Sequence, residues 1–318
     1  PTSAQVPDMW VFSHEVMHNF GSPHNYSNEG GIRTSIGGTI MAHRLNETFN
    51  MFSTHSTEYS LNYQETVGPY GNWWFHNGYT EELTNNTIQH LVRDMEKIRE
   101  ELGIDKWILF VASSGSTLAL YYSINHPERC LGMILRGIFL GSRNEIDWFL
   151  TGMGKFYPEA HRLFLKELNF LESEKPTSND IINRASDLIF GDDEIISQKV
   201  SNAWSSYELS CSTIDYKKRE MTGDGASSMA KIELHYFKNN CFLKDNEILN
   251  NIHKVQNVPT YIIQGRHDVI CPPFSAYELN SKMPSSELII VDDAGHSAFE
   301  TGIKNSLMES LNKIIKDY

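Results

Sequence analysis

Residues 106–111 (KWILFV) are a continuous apolar run, too short for a buried helix, and read as a strand covered on both faces. An amphipathic helix follows almost at once over residues 114–125. His126-Pro127 ends it, since proline lacks the amide and crowds the preceding turn. Residues 130–138 (CLGMILRGI) read as the next strand. Strand, helix and strand joined by such short connections form a parallel pair with a right-handed crossover. This unit commits the chain to an α/β fold.

The flanking pattern extends the unit in both directions. Ile88, Leu91, Val92, Met95, Ile98 and Leu102 recur at helical spacing, and Gly103 sits where that helix stops. Two more strand-like runs occur at 259–264 (PTYIIQ) and 287–291 (ELIIV). A closing helix carries Ile303, Leu307, Leu311, Ile314 and Ile315 on one face. Between these blocks, residues 141–246 are helical and aromatic in pattern, without clear strands. The expected organisation is an amino-terminal fragment (1–63), a turn-rich linker (64–83), a first core part (84–140), a helical cap (141–247) and a second core part (248–318).

A net charge of −13 argues against nucleic acid as a partner, because phosphate binding needs a basic face. The apolar runs are too short to span a bilayer, so no membrane partner is expected. Cys130, Cys211, Cys241 and Cys271 have no CxxC spacing, so neither a zinc knuckle nor a redox pair is indicated. Scattered thiols fit a reducing compartment, and the expected location is cytoplasmic.

The chemistry is concentrated at the strand-to-helix junction Phe110-Val-Ala-Ser-Ser-Gly-Ser-Thr-Leu118. Ser113 stands at the strand end, and Gly115 two residues later leaves room for a tight turn. Ser114 and Ser116 fit less well, since neither has glycine two residues on. The Ser114 N–H is the expected oxyanion donor. A serine hydroxyl becomes a nucleophile only beside a base, and a histidine base needs a carboxylate to hold its tautomer. Asp268 follows one late strand and His296 follows the last, in the order Ser, Asp, His that this architecture requires. Val111 occupies the position of the first glycine of the usual GxSxG motif.

Several segments together resemble the proline iminopeptidases, a family of α/β-hydrolases. They are Ser113-Ser-Gly-Ser-Thr-Leu, His126-Pro-Glu, Leu135-Arg-Gly-Ile-Phe-Leu140, Glu145-Ile-Asp-Trp148, Ala203-Trp-Ser205, Ile232-Glu-Leu-His-Tyr-Phe237, Gln264-Gly-Arg and Asp293-Ala-Gly-His-Ser297. The resemblance runs from about residue 84 to the end. It implies peptides with an N-terminal proline as substrates and no cofactor for the hydrolase. It also implies that Glu208 and Glu233 hold the substrate's free amine, and that Phe139 and Cys271 line the pyrrolidine pocket. Two carboxylates suit a secondary ammonium with two N–H donors. The family's first strands and its HGGPG oxyanion loop have no counterpart before residue 84, so the amino-terminal strands of the core are expected to be missing.

The amino terminus carries a second motif, His14-Glu-Val-Met-His18-Asn-Phe-Gly21-Ser-Pro-His24, or HExxHxxGxxH. On a helix, His14 and His18 face one way and can ligate zinc; Gly21 turns the chain so that His24 joins them. Glu15 would be the base that activates a bound water. Gly37-Gly-Thr-Ile-Met41 resembles a Met-turn, and the stretch 9–60 resembles part of a reprolysin-like metzincin metalloprotease. About fifty residues bury little core on their own. Three readings therefore stand: a serine aminopeptidase releasing N-terminal proline, a zinc endopeptidase of the amino-terminal fragment, and a truncated inactive fusion.

Overall fold

The computed structural model describes residues 86–316, Leu83 and the backbone of three earlier strands. These strands are β1 (Trp10–His14), β2 (Gly31–Arg33) and β3 (Thr39–Arg44). Helix α1 (Ile88–Glu101) opens on Thr87, whose hydroxyl accepts the His90 N–H, and closes before Gly103 at φ 66°. Its Ile88, Val92, Met95 and Ile98 are buried, as the spacing predicts. The crossover unit follows as β4 (Trp107–Ser113), α2 (Ser114–Asn125) and β5 (Cys130–Ile138).

Burial on both sides explains the unbroken apolar character of β4. Trp107, Leu109 and Val111 face a core shared with α1 and α2. Ile108 and Phe110 face the opposite core, shared with Ile303, Leu307, Leu311 and Ile314 of the last helix. These five side chains are 0% exposed, and each contributes about 1.5–3 kcal/mol of burial.

After β5 the chain leaves the sheet. Residues 143–251 form α3 (Arg143–Asp147), α4 (Pro158–Glu167), α5 (Ser178–Ile189), α6 (Glu194–Cys211), α7 (Gly223–Lys238) and α8 (Glu247–Asn251), with no strand among them. This insertion has its own core, in which Phe149, Phe164, Trp204, Tyr207 and Phe237 interlock. The sheet resumes with β6 (Thr260–Gly265), then α9 (Pro273–Lys282), β7 (Ser286–Val291) and α10 (Thr301–Lys316).

The sheet order is β2-β3-β1-β4-β5-β6-β7, with β4 to β7 mutually parallel. β1 adds to β4 in parallel, Val11 opposite Ile108 and His14 opposite Val111. β3 lies antiparallel to β1, and β2 antiparallel to β3. The expectation of missing amino-terminal strands is corrected here: three strands precede residue 84. Of these, β1 pairs the outer edge of β4, whose amides and carbonyls would otherwise go unmatched within the sheet. Strands of three to six residues in a stretch rich in His, Asn, Ser and Gly carry little periodic signal.

The zinc motif is corrected in part for the same reason. His14 ends β1, a strand favoured by Trp10-Val-Phe, rather than opening a helix. Met41 lies inside β3, opposite Ser13, rather than in a turn. Glu15, His18 and His24 lie outside the described residues, as does Gly68-Pro-Tyr-Gly71. No described helix is long and apolar enough to cross a membrane.

Candidate active site

Ser113 is the last residue of β4 and the cap of α2. Its backbone adopts φ 55° and ψ −128°, a region that a residue with a Cβ enters at a cost of about 1–3 kcal/mol. The packed sheet below and the buried helix after it enforce this turn. It sets the side chain at the junction, partly exposed, with its Oγ 3.8 Å from Cys271 Sγ. The Ser114 amide is the first of α2, where helical N–H groups point outward without an intrahelical acceptor. Ser116 is fully buried and committed elsewhere. Its Oγ donates to the Ser113 carbonyl at 2.6 Å and accepts the Phe139 N–H at 3.0 Å, which stiffens the turn.

Asp268 and His296 meet beyond the ends of β6 and β7. His296 Nδ1 lies 2.8 Å from Asp268 Oδ2, and the two side chains are each 1% exposed. Asp268 accepts two further bonds, from Gln264 Nε2 at 3.1 Å and from the Cys271 N–H at 2.9 Å. Three donors surround one carboxylate and leave it little freedom. The His296 Nε2 is buried and has no hydrogen-bond partner among the described residues. The ring thus has one nitrogen fixed and the other free to take a proton.

Phe139 and Cys271 pack against the insertion, and Glu208 and Glu233 lie on its helices. Cys271 and Phe139 both join the core of the insertion. Burial, and then the nearby Asp268 charge, push the Cys271 thiol well above its usual range, so it is neutral. Phe139 packs on Phe237 at 6.1 Å between ring centres. Glu208 lies on α6, 7% exposed. Glu233 lies on α7, and its Oε2 accepts the Trp204 Nε1–H at 2.7 Å. Trp148, at the start of a single π-helical turn, donates its Nε1–H to the Val269 carbonyl at 2.6 Å. That bond ties the insertion to the residue after Asp268.

Three supporting residues have no role legible from spacing. Gln264 spends its whole amide on the site: Oε1 accepts the Ile138 N–H, while Nε2 donates to Asp268 and to the Cys271 carbonyl. Arg136, buried in β5, donates to the His296 carbonyl. Gly137, at φ 58°, backs directly onto the pair: an added Cβ would lie 2.8 Å from His296 Cε1 and 3.3 Å from Asp268 Oδ2. All three stand within segments quoted above, and that is the one signal by which they could have been found. Gly137→Ala is expected to lower kcat about a hundredfold by displacing the imidazole about 1 Å. Steady-state kinetics checks this; a kcat within threefold of wild type would contradict it.

A tight serine turn between strand and helix, followed by an Asp–His pair at later strand ends, defines the class of serine hydrolases built on a parallel sheet. Residues 71–303 match the family described as alpha/beta hydrolase fold. The chain is 40% identical over 240 residues to the probable proline iminopeptidase of Leptolyngbya boryana, covering 74% of this chain and 73% of that protein. It is 39% identical to the proline iminopeptidases of Arabidopsis thaliana and Neisseria meningitidis, covering 62% and 74% of their lengths. The chain belongs to the α/β-hydrolase family, on the proline iminopeptidase branch.

Proposed function

We propose that the protein is a serine aminopeptidase that releases N-terminal proline from peptides. The observation that carries this reading is the buried Asp268–His296 pair, 2.8 Å apart, with Nε2 unused, beyond a strained Ser113 turn. In this reading His296 Nε2 takes the Ser113 proton as Oγ attacks the prolyl carbonyl. Asp268 holds Nδ1–H and stabilises the imidazolium. The Ser114 N–H receives the developing oxyanion. His296 then returns the proton to the leaving amine, which departs as the shortened peptide. Water, deprotonated by the same nitrogen, hydrolyses the prolyl ester on Ser113.

Glu208 and Glu233 select the substrate by pairing with its free ammonium, while Phe139 and Cys271 line the ring pocket. The sequence relatives, named as proline iminopeptidases, support this assignment. No step is routed through zinc, because His14 lies in a strand and the other motif residues lie outside the described ones.

Labelling with a fluorophosphonate probe tests the nucleophile. The adduct is expected on Ser113 alone, and Ser113→Ala is expected to abolish it. An adduct on Ser114 or Ser116, or one that survives the substitution, would overturn the assignment.

A further inference from the structure

His296 is held from three directions, and one of them is the insertion. Its Nδ1 belongs to Asp268 and its carbonyl to Arg136, both parts of the core. Its N–H, however, donates to the Ser212 carbonyl at 3.0 Å, and the Ser297 N–H donates to the same oxygen at 2.8 Å. Ser212 follows directly on α6, the helix that carries Glu208.

Glu300 completes the junction. One carboxylate oxygen accepts the Gly295 N–H at 2.7 Å, immediately before His296. The other accepts the Ile214 N–H at 3.1 Å, two residues beyond Ser212. The approach is close as well as bonded, since a Cβ on Gly295 would lie 3.2 Å from the Ile214 nitrogen. Four backbone N–H groups from two segments more than eighty residues apart thus share two acceptors, the Ser212 carbonyl and the Glu300 carboxylate. Glu300 is the only side chain in this set. It is remote from Ser113 in the chain, outside the Ser–Asp–His constellation and outside the pocket residues.

We propose that Glu300 is a positioning residue for His296: its carboxylate clamps the loop 295–297 to the insertion at 212–214, so that the position of the insertion sets the position of the catalytic imidazole. The inference rests on the reading of Ser113, Asp268 and His296 given above. A carboxylate accepting two backbone N–H groups forms charge-assisted bonds, stronger than neutral ones. Without it, Gly295 and Ile214 lose their shared acceptor, and the loop keeps only the Ser212 carbonyl on that side. Displacement of the imidazole by about 1 Å is enough to cost about a hundredfold in rate.

The test is steady-state kinetics on the full chain with proline-2-naphthylamide and with 4-nitrophenyl acetate, which has no amine for the insertion to hold. Wild type, Glu300→Ala and Glu300→Gln are compared, with thermal midpoints alongside. For Glu300→Ala, kcat is expected to fall about 10- to 100-fold on both substrates, with KM for the proline substrate within threefold. Glu300→Gln, which keeps one acceptor, is expected to recover part of the loss. Unchanged kcat in Glu300→Ala, or a loss confined to the proline substrate, would overturn the positioning role. If Glu300→Ala does not fold, Glu300→Gln decides: lowered kcat at unchanged KM supports the role, and wild-type kcat removes it. Failure of both variants to fold assigns Glu300 to stability alone and also removes the role. Wild-type turnover that survives Ser113→Ala would instead remove the underlying reading, whatever Glu300 does.

Discussion

Replacing Asp268 by asparagine is expected to lower kcat about ten-thousandfold, with KM for proline-2-naphthylamide little changed. The carboxylate accepts from His296 Nδ1, Gln264 Nε2 and the Cys271 N–H, with no donor of its own. An amide in its place has one acceptor and one donor end. If its oxygen faces His296 and Gln264, its NH₂ opposes the Cys271 N–H. If its NH₂ faces them instead, it opposes the Gln264 amide and favours the tautomer with the proton on Nε2. That tautomer cannot accept a proton from Ser113. The buried mismatch also costs about 1–3 kcal/mol of stability, so thermal midpoints should be read beside the rates. A folded Asp268→Asn protein that keeps kcat within tenfold of wild type would remove Asp268 from the mechanism.

The second large effect concerns specificity. Glu208→Gln and Glu233→Gln are each expected to lower kcat/KM for a free N-terminal proline by roughly ten- to a hundredfold, since a hydrogen bond to a charged group is worth about 1.5–3 kcal/mol. Glu208 is buried on α6, and Glu233 is oriented by the Trp204 indole at 2.7 Å on α7. Helices packed on one aromatic core hold both carboxylates, so little ordering remains for the substrate to impose. N-acetylproline-2-naphthylamide offers no ammonium to either carboxylate, so two like charges border the site with no substrate cation between them. The ratio of free to acetylated substrate should therefore collapse in the double variant. A ratio unchanged by both substitutions would remove the amine-binding role and leave a serine hydrolase of other specificity.

How legible these residues are in the sequence depends on the range of the forces that position them. The spacing of Ile88, Val92, Met95 and Ile98 carries its own period, and so did the run that became β4. Ser113 was legible because a strand end, a glycine two residues on and a following helix are all local. Asp268 and His296 were legible only by their order and their place after apolar runs. Three kinds of residue were not legible. Gln264 and Gly137 act through contacts that exist only once β5, β6 and the last loop are side by side. Glu300 acts between segments that meet only in the folded chain. The strands β1 to β3 are too short to show a period, and β1 finds its partner β4 about a hundred residues later. The HExxH spacing is a helical argument, and it lost its basis at His14 once that residue joined a strand.

The central claim is that Ser113 attacks a prolyl carbonyl whose free amine the protein recognises. Turnover of proline-2-naphthylamide and its N-acetylated form by the full chain and by Ser113→Ala tests it most directly. The account predicts hydrolysis of the free-amine substrate by wild type, little or none of the acetylated one, and neither by Ser113→Ala. Turnover that persists in Ser113→Ala, or equal hydrolysis of both substrates by wild type, would contradict it.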